Sequence, residues 1–477
     1  MAGEGPGGNI LVFDVGSSAL KGSVFDLGGA IVDRIEVGYG LSTRVLRQSP
    51  WDWWKAAVGA AHQLDLRQVA AIVLTGTMEN LIPVAASGEP LGDALLYSDP
   101  CGEPFLAEAM PALAEAGATR LCGNAPEPLM TAFKLAWLAR HDPERFAAAR
   151  WFLPGAKDFL ALKLTNEAVT DPTCAATTGL MDIVSRDWSD PLRTIAGVER
   201  ARLPRIRPAT DIVGPLVAMA ADELGLPAGL PVVNGAGDGG TTTVGAGADD
   251  PGDVSLYLGT TGWAARAIGS AEPTAAGFYK LPHPLNEGLI EIAPILSAGA
   301  ATAWARQALG VEVDAAEALA RQADAAPGEV VFAPYLGGER SPFLDLEVRG
   351  AFLGLSSGDG PPDLYYAVLE GVALAIDANL QAMGGPLGKV SLVGGGALSR
   401  IWPQVIADIL EVPILASAEP AAATSRGAFR IAQRALHLPV GQPNLAVLAN
   451  PRPERAARAR HLRQRFAHAT ALVRQFR

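Results

Sequence analysis

The stretch "DVGSSALK" (residues 14–21) follows the apolar run "ILVF" (10–13) and leads into "GSVFD" (22–26). A carboxylate, a glycine, two hydroxyls and a lysine therefore gather where one strand-like run ends and another begins. A hairpin turn of the form Gly16-Ser17-Ser18 aims backbone N–H groups and hydroxyls at one point, which makes a nest for phosphate oxygens. Lys21 adds a point charge. Asp14 repels phosphate directly but suits Mg²⁺, which is bound by one or two carboxylates together with substrate phosphates. An ordinary glycine turn capped by Asp14 is the competing reading of these residues taken alone.

Working outward, β-type runs at 10–13, 22–26 and 30–36, separated by glycine-containing turns, predict an antiparallel meander. "SPWDWWKAAVGAAHQL" (49–64) has helical periodicity with Ser49 available as a cap, and "VAAIVLTG" (69–76) reads as a buried strand ending in glycine. Strands and helices alternate from there on, the pattern of an α/β fold. "MTAFKLAWLARH" (130–141) and "KDFLALKL" (157–164) read as amphipathic helices, and "PVVNGAGDGG" (231–240) as a strand running into a glycine-rich turn. The pattern then restarts in "DVSLYLGTTGWAARAIG" (253–269), again strand, glycine-hydroxyl-hydroxyl turn and strand. Two hairpins of one design, each opening a half, predict a duplicated architecture with its boundary near 248–253. The domains expected are thus 1–248 and 249–477. Later, "PPDLYYAVLEGVALAIDANLQAM" (361–383) is a long helix and "KVSLVGGG" (389–396) a strand ending in three glycines. The Arg/Ala-rich stretch 450–476 is expected to be a helix with a solvated charged face.

The chain has 477 residues, 49% of them hydrophobic, enough for two large cores, since single cores rarely grow past roughly 250–300 residues. A formal charge of -12 provides no broadly basic surface, so no nucleic-acid partner is expected. A bound phosphate compound must be held by local donors or a metal. Cys101, Cys122 and Cys174 are irregularly spaced, which predicts reduced, buried thiols in place of a disulfide framework or a metal clip. No stretch reaches the ~18 continuous apolar residues of a membrane span. With no apolar core in "MAGEGPGGN", a cytoplasmic protein is expected.

Three further stretches bear on chemistry. The second turn, Gly259-Thr260-Thr261-Gly262, repeats the first, and two such turns facing each other across a cleft would clamp phosphates. The segment 234–240 contains GxGxxG at Gly235, Gly237 and Gly240, the form of a dinucleotide-binding turn. A dinucleotide site also wants an acidic residue closing the next strand, and here that strand ends in Gly-Thr-Thr. The other use of the segment is Asp238, an isolated carboxylate with the exposure and reach a general base needs; an Asx-turn is its structural alternative. Gly394-Gly395-Gly396 lets the backbone lie against a planar group or phosphate ahead of a helix N-terminus, in a helix with Ile401, Val405 and Ile409 on one face.

Together, and in this order, these stretches resemble the FGGY carbohydrate kinase family, most closely its xylulokinase-like branch. "FDVGSSALKGSVFD" (13–26) is similar to the family's first phosphate motif, "GAGDGGTTTVGAG" (235–247) to its catalytic-base segment, and "SLYLGTTG" (255–262) to its second phosphate motif. "PYLGGERSPFLDLEVRGAFLGLS" (334–356) and "GGGALSRIWPQVIADIL" (394–410) are similar to its C-terminal signature and adenosine-binding segment. Lesser matches are "NAPEPLMTAFKLAWL" (124–138) and "KDFLALKLTNEAVTDPTCAATTGLMD" (157–182).

The resemblance implies two domains of ribonuclease-H-like, actin-like ATPase fold, with ATP in the cleft between them. It implies that Asp14 coordinates Mg²⁺ and that Gly16, Ser17, Ser18 and Lys21 surround the transferred phosphate. Gly259, Thr260 and Thr261 would hold the phosphates from the other side, and Gly395, Gly396 and Ala397 would line the adenosine pocket. Asp238 would take the proton of the sugar hydroxyl as it attacks the γ-phosphate. At the sugar end the chain departs from the family. Met78 is kept, but Glu79 stands where a histidine is usual, and Tyr97-Ser98-Asp99-Pro100-Cys101 replaces Trp-x-Asp-x-Arg. Glu79 resembles the glycerol kinases, yet the aromatic residue of that subgroup is missing near Leu129. The expected reaction is ATP-dependent phosphorylation of a small sugar, D-xylulose by default, with D-ribulose or another polyol as alternatives. A catalytically silent sugar-binding protein and a nicotinamide-dependent dehydrogenase are the alternatives of other classes. Homodimerisation is left open.

Overall fold

The computed structural model describes residues 8–40, 46–269, 271 and 277–476. Two mixed sheets carry the architecture. The first has six strands, β1 (Asn9–Val15), β2 (Ala19–Phe25), β3 (Ile31–Gly38), β4 (Val69–Gly76), β5 (Ile212–Pro215) and β6 (Pro231–Gly237), in the order β5-β6-β4-β1-β2-β3. The second has seven, β7 (Val254–Leu258), β8 (Gly262–Ile268), β9 (Tyr279–Pro282), β10 (Leu289–Ile295), β11 (Val390–Val393), β12 (Ile414–Ser417) and β13 (Leu445–Ala449), in the order β9-β10-β8-β7-β11-β12-β13. Without the edge strands β5, β9 and β13, the two orders become β3-β2-β1-β4-β6 and β10-β8-β7-β11-β12. Each is an antiparallel three-strand meander continued by two parallel strands. The duplication expected from the two hairpins is present strand for strand.

Local sequence explains the pattern. In β1, Ile10, Leu11, Val12 and Phe13 are all fully buried, as a strand must be when both faces of its sheet are covered, so it reads as a continuous apolar run. In β3, near the sheet edge, partly buried and exposed residues alternate instead, the mark of one solvated face. Helix α1 (Pro50–Ala61) begins at Ser49, whose hydroxyl makes no capping bond; Pro50 sets the start, its fixed φ being suited to a first helical position. Helix α2 (Thr131–His141) is amphipathic as expected. Helix α3 (Ala156–Thr165) is not: it is buried on almost every side, and its polar residues Lys157 and Asp158 are fully enclosed.

The segment expected to be a glycine-rich turn after β6 is a helix, α4 (Asp238–Gly245), which starts with no intervening loop. Its glycines serve close packing. A Cβ on Gly237 would collide with Met78, and one on Gly245 with the Ala423 carbonyl. The three glycines of the GxGxxG spacing thus face protein, Gly235 the Leu74 main chain, Gly237 Met78 and Gly240 Thr173, and not a pyrophosphate, which removes the physical basis of the dehydrogenase reading. Helix α5 (Pro361–Met383) and helix α6 (Trp402–Leu410) pack within the second half. Helix α7 (Ala423–Ala435), although late in the chain, lies on α4 and the first sheet, with Phe429 stacked on Phe25 at 4.8 Å. The C-terminal helix α8 (Ala456–Gln475) is docked more firmly than a solvated face would be. Arg458 pairs with Glu370 at 2.9 Å and Arg463 with Asp377 at 3.0 Å, both carboxylates on α5. Cys122 and Cys174 are buried and Cys101 half-buried, all as free thiols.

Candidate active site

The ends of β1, β2, β6 and β7 converge on a cavity of about 460 Å³. It is lined from the first half by Asp14, Gly16, Ser17, Ser18, Lys21 and Asp238, and from the second by Tyr257 and Thr261. Within the first hairpin, the Gly16 N–H donates to the Ala19 carbonyl at 3.1 Å, closing the turn. Asp14 and Lys21 are register partners across β1 and β2. The Tyr39 hydroxyl donates to the Gly16 carbonyl at 3.2 Å, and the Ser17 and Tyr97 hydroxyls meet at 3.2 Å. The second turn is held differently. The Gly259 N–H donates to Thr261 O at 3.0 Å, while the Gly259 and Thr260 carbonyls accept from Gly299 and Ala300 at 2.8 Å each. These last two open the helix Gly299–Leu309, so the turn sits on a helix start, and Thr261 is the residue of the turn that faces the cavity.

Gly259 and Thr260 adjoin the cavity wall without forming it. Gly395, Gly396 and Ala397 lie in a short 3₁₀ turn, Gly395–Leu398, after β11. They do not line the cavity either, but a Cβ on Gly396 would press on Leu258, which places this turn beside the second phosphate turn. The backbone there takes a φ of 84° at Gly394, a value only glycine adopts without strain.

Asp238 is the first residue of α4, and its Oδ1 accepts the Gly239 N–H at 2.8 Å. Burial and then the nearby Asp14 charge push its carboxyl up to about 7, against the pull of the Gly239 N–H. A base poised near neutrality takes a proton most effectively at physiological pH. Asp14 is raised too, first by burial and then by Glu36, with Lys21 opposing. A cation beside Asp14 would relieve both carboxylates, so the donor set suits Mg²⁺, a hard cation that takes oxygen ligands.

The sugar-side residues named from sequence, Met78 and Glu79, line the same cavity. Glu79 has a φ of 61°, an uncommon left-handed backbone for a residue with a side chain and a conformation that concentrates at functional sites. It follows β4 and is fixed by Asn80, whose N–H donates to Pro154 O at 2.9 Å and whose Oδ1 accepts the Tyr97 N–H at 3.0 Å. Lys134, fully buried on α2, donates to the Glu79 carbonyl at 2.7 Å and to the Leu129 carbonyl. Glu79 is 8% exposed, and its Oε1 is buried with no hydrogen-bond partner within the protein. Burial raises its pKa; Lys134 and Arg340 pull it back.

Sequence reading missed part of this wall. Tyr279 and Arg340 line the cavity, and Glu127 binds both: its carboxylate accepts the Tyr279 hydroxyl at 2.8 Å and contacts the Arg340 guanidinium. Burial and then the Glu79 charge push Glu127 up to about 8, against the pull of the Gly277 N–H. Glu127 and Arg340 fall inside the stretches 124–138 and 334–356, but no local pattern singles them out; only the tertiary fold brings them to Tyr279. By contrast Asp99 does not line the cavity. It caps the turn at Cys101 with a 3.0 Å bond and pairs with Arg47 at 3.2 Å.

Residues 9–245 match the model of the N-terminal domain of the FGGY family of carbohydrate kinases, and residues 280–436 that of its C-terminal domain. A xylulose kinase of Escherichia coli K12 is 35% identical over 376 residues, covering 76% of each chain. The crystal structure of a ligand-bound xylulose kinase from Lactobacillus acidophilus superposes with a TM-score of 0.89 at 26% identity over 98% of each chain. A gluconate kinase from the same organism gives 0.89 and 26% as well, so overall shape does not separate the two substrates.

Proposed function

The chain belongs to the FGGY family of carbohydrate kinases, ATP-dependent phosphotransferases, and from that premise we propose that its substrate is an uncharged ketopentose, D-xylulose before D-ribulose. One observation carries this choice. At the sugar end, the Glu79 carboxylate is buried with an unpartnered oxygen, and the Arg340 guanidinium is already occupied by Glu127. A carboxylate has acceptors but no donors when ionised, so Glu79 suits a ligand rich in hydroxyls. A sugar acid would bring a second negative charge against it, and the Arg340 guanidinium nearby already contacts Glu127 and Tyr279 through Nη2.

In this reading the sugar hydroxyl that attacks the γ-phosphate hands its proton to Asp238, which orients the nucleophile more than it drives the step. Ser17, Ser18, Lys21 and the backbone of Gly16 surround the phosphoryl group as it passes to the sugar, and Thr260, Thr261 and Gly259 hold the phosphates from the second sheet. Asp14 holds Mg²⁺, which when bound neutralises phosphate charge. Gly395, Gly396 and Ala397 border the adenosine. The reading takes 1–248 and 249–477 as the two domains and a cytoplasmic setting, supported by the break between α4 and β7 and by the lack, among the described residues, of any helix long and apolar enough to cross a membrane. An ADP-release assay across D-xylulose, D-ribulose, D-gluconate and glycerol tests the substrate. The highest kcat/KM is expected with D-xylulose and at least about tenfold less with gluconate; preference for gluconate would overturn the choice.

A further inference from the structure

Behind Asp238 lies a fully buried polar cluster with no part in the scheme above. Lys157 on α3 has its Nζ 2.8 Å from Asp158 Oδ1, 3.2 Å from Asp171 Oδ1 and 3.1 Å from Asn234 Oδ1. Asp158 also accepts the Thr170 hydroxyl at 2.7 Å and the Gly155 N–H at 2.9 Å. Asp158, Asp171 and Cys174 are close enough together to suggest metal ligands, but the ammonium of Lys157 already stands between the two carboxylates as their cation.

The cluster leads to one point on the catalytic segment. Asp171 Oδ2 accepts the Thr173 N–H at 2.7 Å and also the Thr173 hydroxyl. With its proton committed to Asp171, the Thr173 Oγ1 acts as an acceptor, and it takes the Gly237 N–H at 2.7 Å. Gly237 is the last residue of β6 and immediately precedes Asp238. The Thr173 methyl meanwhile stands against Gly240 in the first turn of α4, so close that a Cβ there would lie 2.9 Å from it. One side chain thus fixes the residue before Asp238 and the helix turn after it. The direction of the relay depends on charge: a carboxylate at position 171 can only accept, so the threonine must donate to it and must receive from Gly237.

We propose that Thr173, oriented by the Lys157–Asp171 ion pair, is a positioning residue that sets where the Asp238 carboxylate stands relative to the sugar hydroxyl. The proposal rests on the reading of Asp238 as the base. Inside the protein such buried ion pairs and hydrogen bonds are strong and restrict the segment they hold, and misplacement of a reacting group by about 1 Å can lower a rate by up to roughly 100-fold.

The test uses Thr173→Val, which keeps shape and removes the acceptor, with Thr173→Ser as the conservative partner and Asp171→Asn as a volume-neutral break one step back. Thr173→Val is expected to lower kcat by about 10- to 100-fold, leave the KM for ATP within about twofold, and move the acid limb of the kcat profile to lower pH as Asp238 gains solvent. Thr173→Ser should restore most of kcat. Should Thr173→Val not fold, Asp171→Asn is expected to move kcat and the acid limb in the same directions. In an Asp238→Asn background, Thr173→Val should produce no further fall in kcat. The proposal is overturned by an unchanged kcat and pH profile in Thr173→Val or Asp171→Asn, or by full additivity with Asp238→Asn. Near-normal turnover of Asp238→Asn alone would instead overturn the reading of the base, so the two failures are distinct.

Discussion

The two ends of the cavity are built on different plans. At the end assigned to phosphate in the proposed function, each side is a hairpin turn of a few consecutive residues, 14–18 on the first sheet and 259–261 on the second. The strands beneath fix both turns in register. The end assigned to the sugar is assembled from single side chains on distant segments, Glu79 after β4, Glu127 before α2, Tyr279 on β9 and Arg340 in the loop after the short strand Val331–Ala333. A turn made of backbone holds any phosphate ester alike. A wall made of separate side chains can be altered one residue at a time, so substrate choice is free to drift on a constant phosphoryl-transfer frame.

That contrast is broken most directly at Asp238, the group that serves both ends. Asp238→Asn keeps the Gly239 contact and removes the base, and kcat for sugar phosphorylation should fall by roughly 100-fold or more with the KM for ATP little changed. Stability gives an independent readout. A carboxyl raised to about 7 from 3.8 favours the folded state while protonated, and this contribution is lost as pH rises from the unfolded value through the folded one. Asn has no such loss, so the melting temperature of Asp238→Asn relative to wild type should increase from pH 5 to pH 8. A constant difference across that range would mean that Asp238 titrates normally.

The same division governs what could be read from sequence. The hairpins, the duplicated strand order and the phosphate turns are local: alternation, turn glycines and clustered hydroxyls lie within a few residues of one another. Met78 and Glu79, which line the cavity, were singled out by the family resemblance of the segment after a buried strand, where a Met-His pair is usual. Arg340 and Glu127 were not, since nothing near either residue marks it, and their meeting with Tyr279 depends on the fold of both halves. The stretch 234–240 misled for a different reason. Its glycines suit a turn, but tertiary packing of α4 against Met78 and α7 requires small residues at the same positions, and the segment becomes a helix in spite of glycine's poor propensity. Likewise α3 looks amphipathic only until Lys157 and Asp158 find buried partners.

A smaller effect is expected at Asp14, on the phosphate side alone. If it holds the metal, Asp14→Ala should raise the Mg²⁺ concentration giving half-maximal activity by about 30-fold, the equivalent of one charge-assisted contact of about 2 kcal/mol. The KM for the sugar should barely move. The variant also removes a negative charge that raises Asp238, so the acid limb of the rate should shift to lower pH when Mg²⁺ is saturating. A titration curve over Mg²⁺ identical to wild type would show that the first hairpin binds phosphate without a metal at this residue.

The smallest change tests the other end. Glu79→Gln preserves volume and backbone and leaves Lys134 bonded to the main-chain carbonyl, so the pocket keeps its shape. It replaces a charged acceptor by a neutral group with one acceptor and one donor, weakening whichever sugar hydroxyl bonds to Oε1. A single such loss is about 1 kcal/mol, hence a rise of about 5-fold in the KM for D-xylulose with the KM for ATP unchanged. The like-charge penalty against a sugar acid falls at the same time, so D-gluconate should improve while D-xylulose worsens, and the ratio of the two kcat/KM values is the sensitive quantity. Steady-state kinetics on both sugars with both proteins measure it. If the ratio stays fixed and only the ATP parameters move, Glu79 is not a sugar contact, and the wall of separate side chains does not set the substrate.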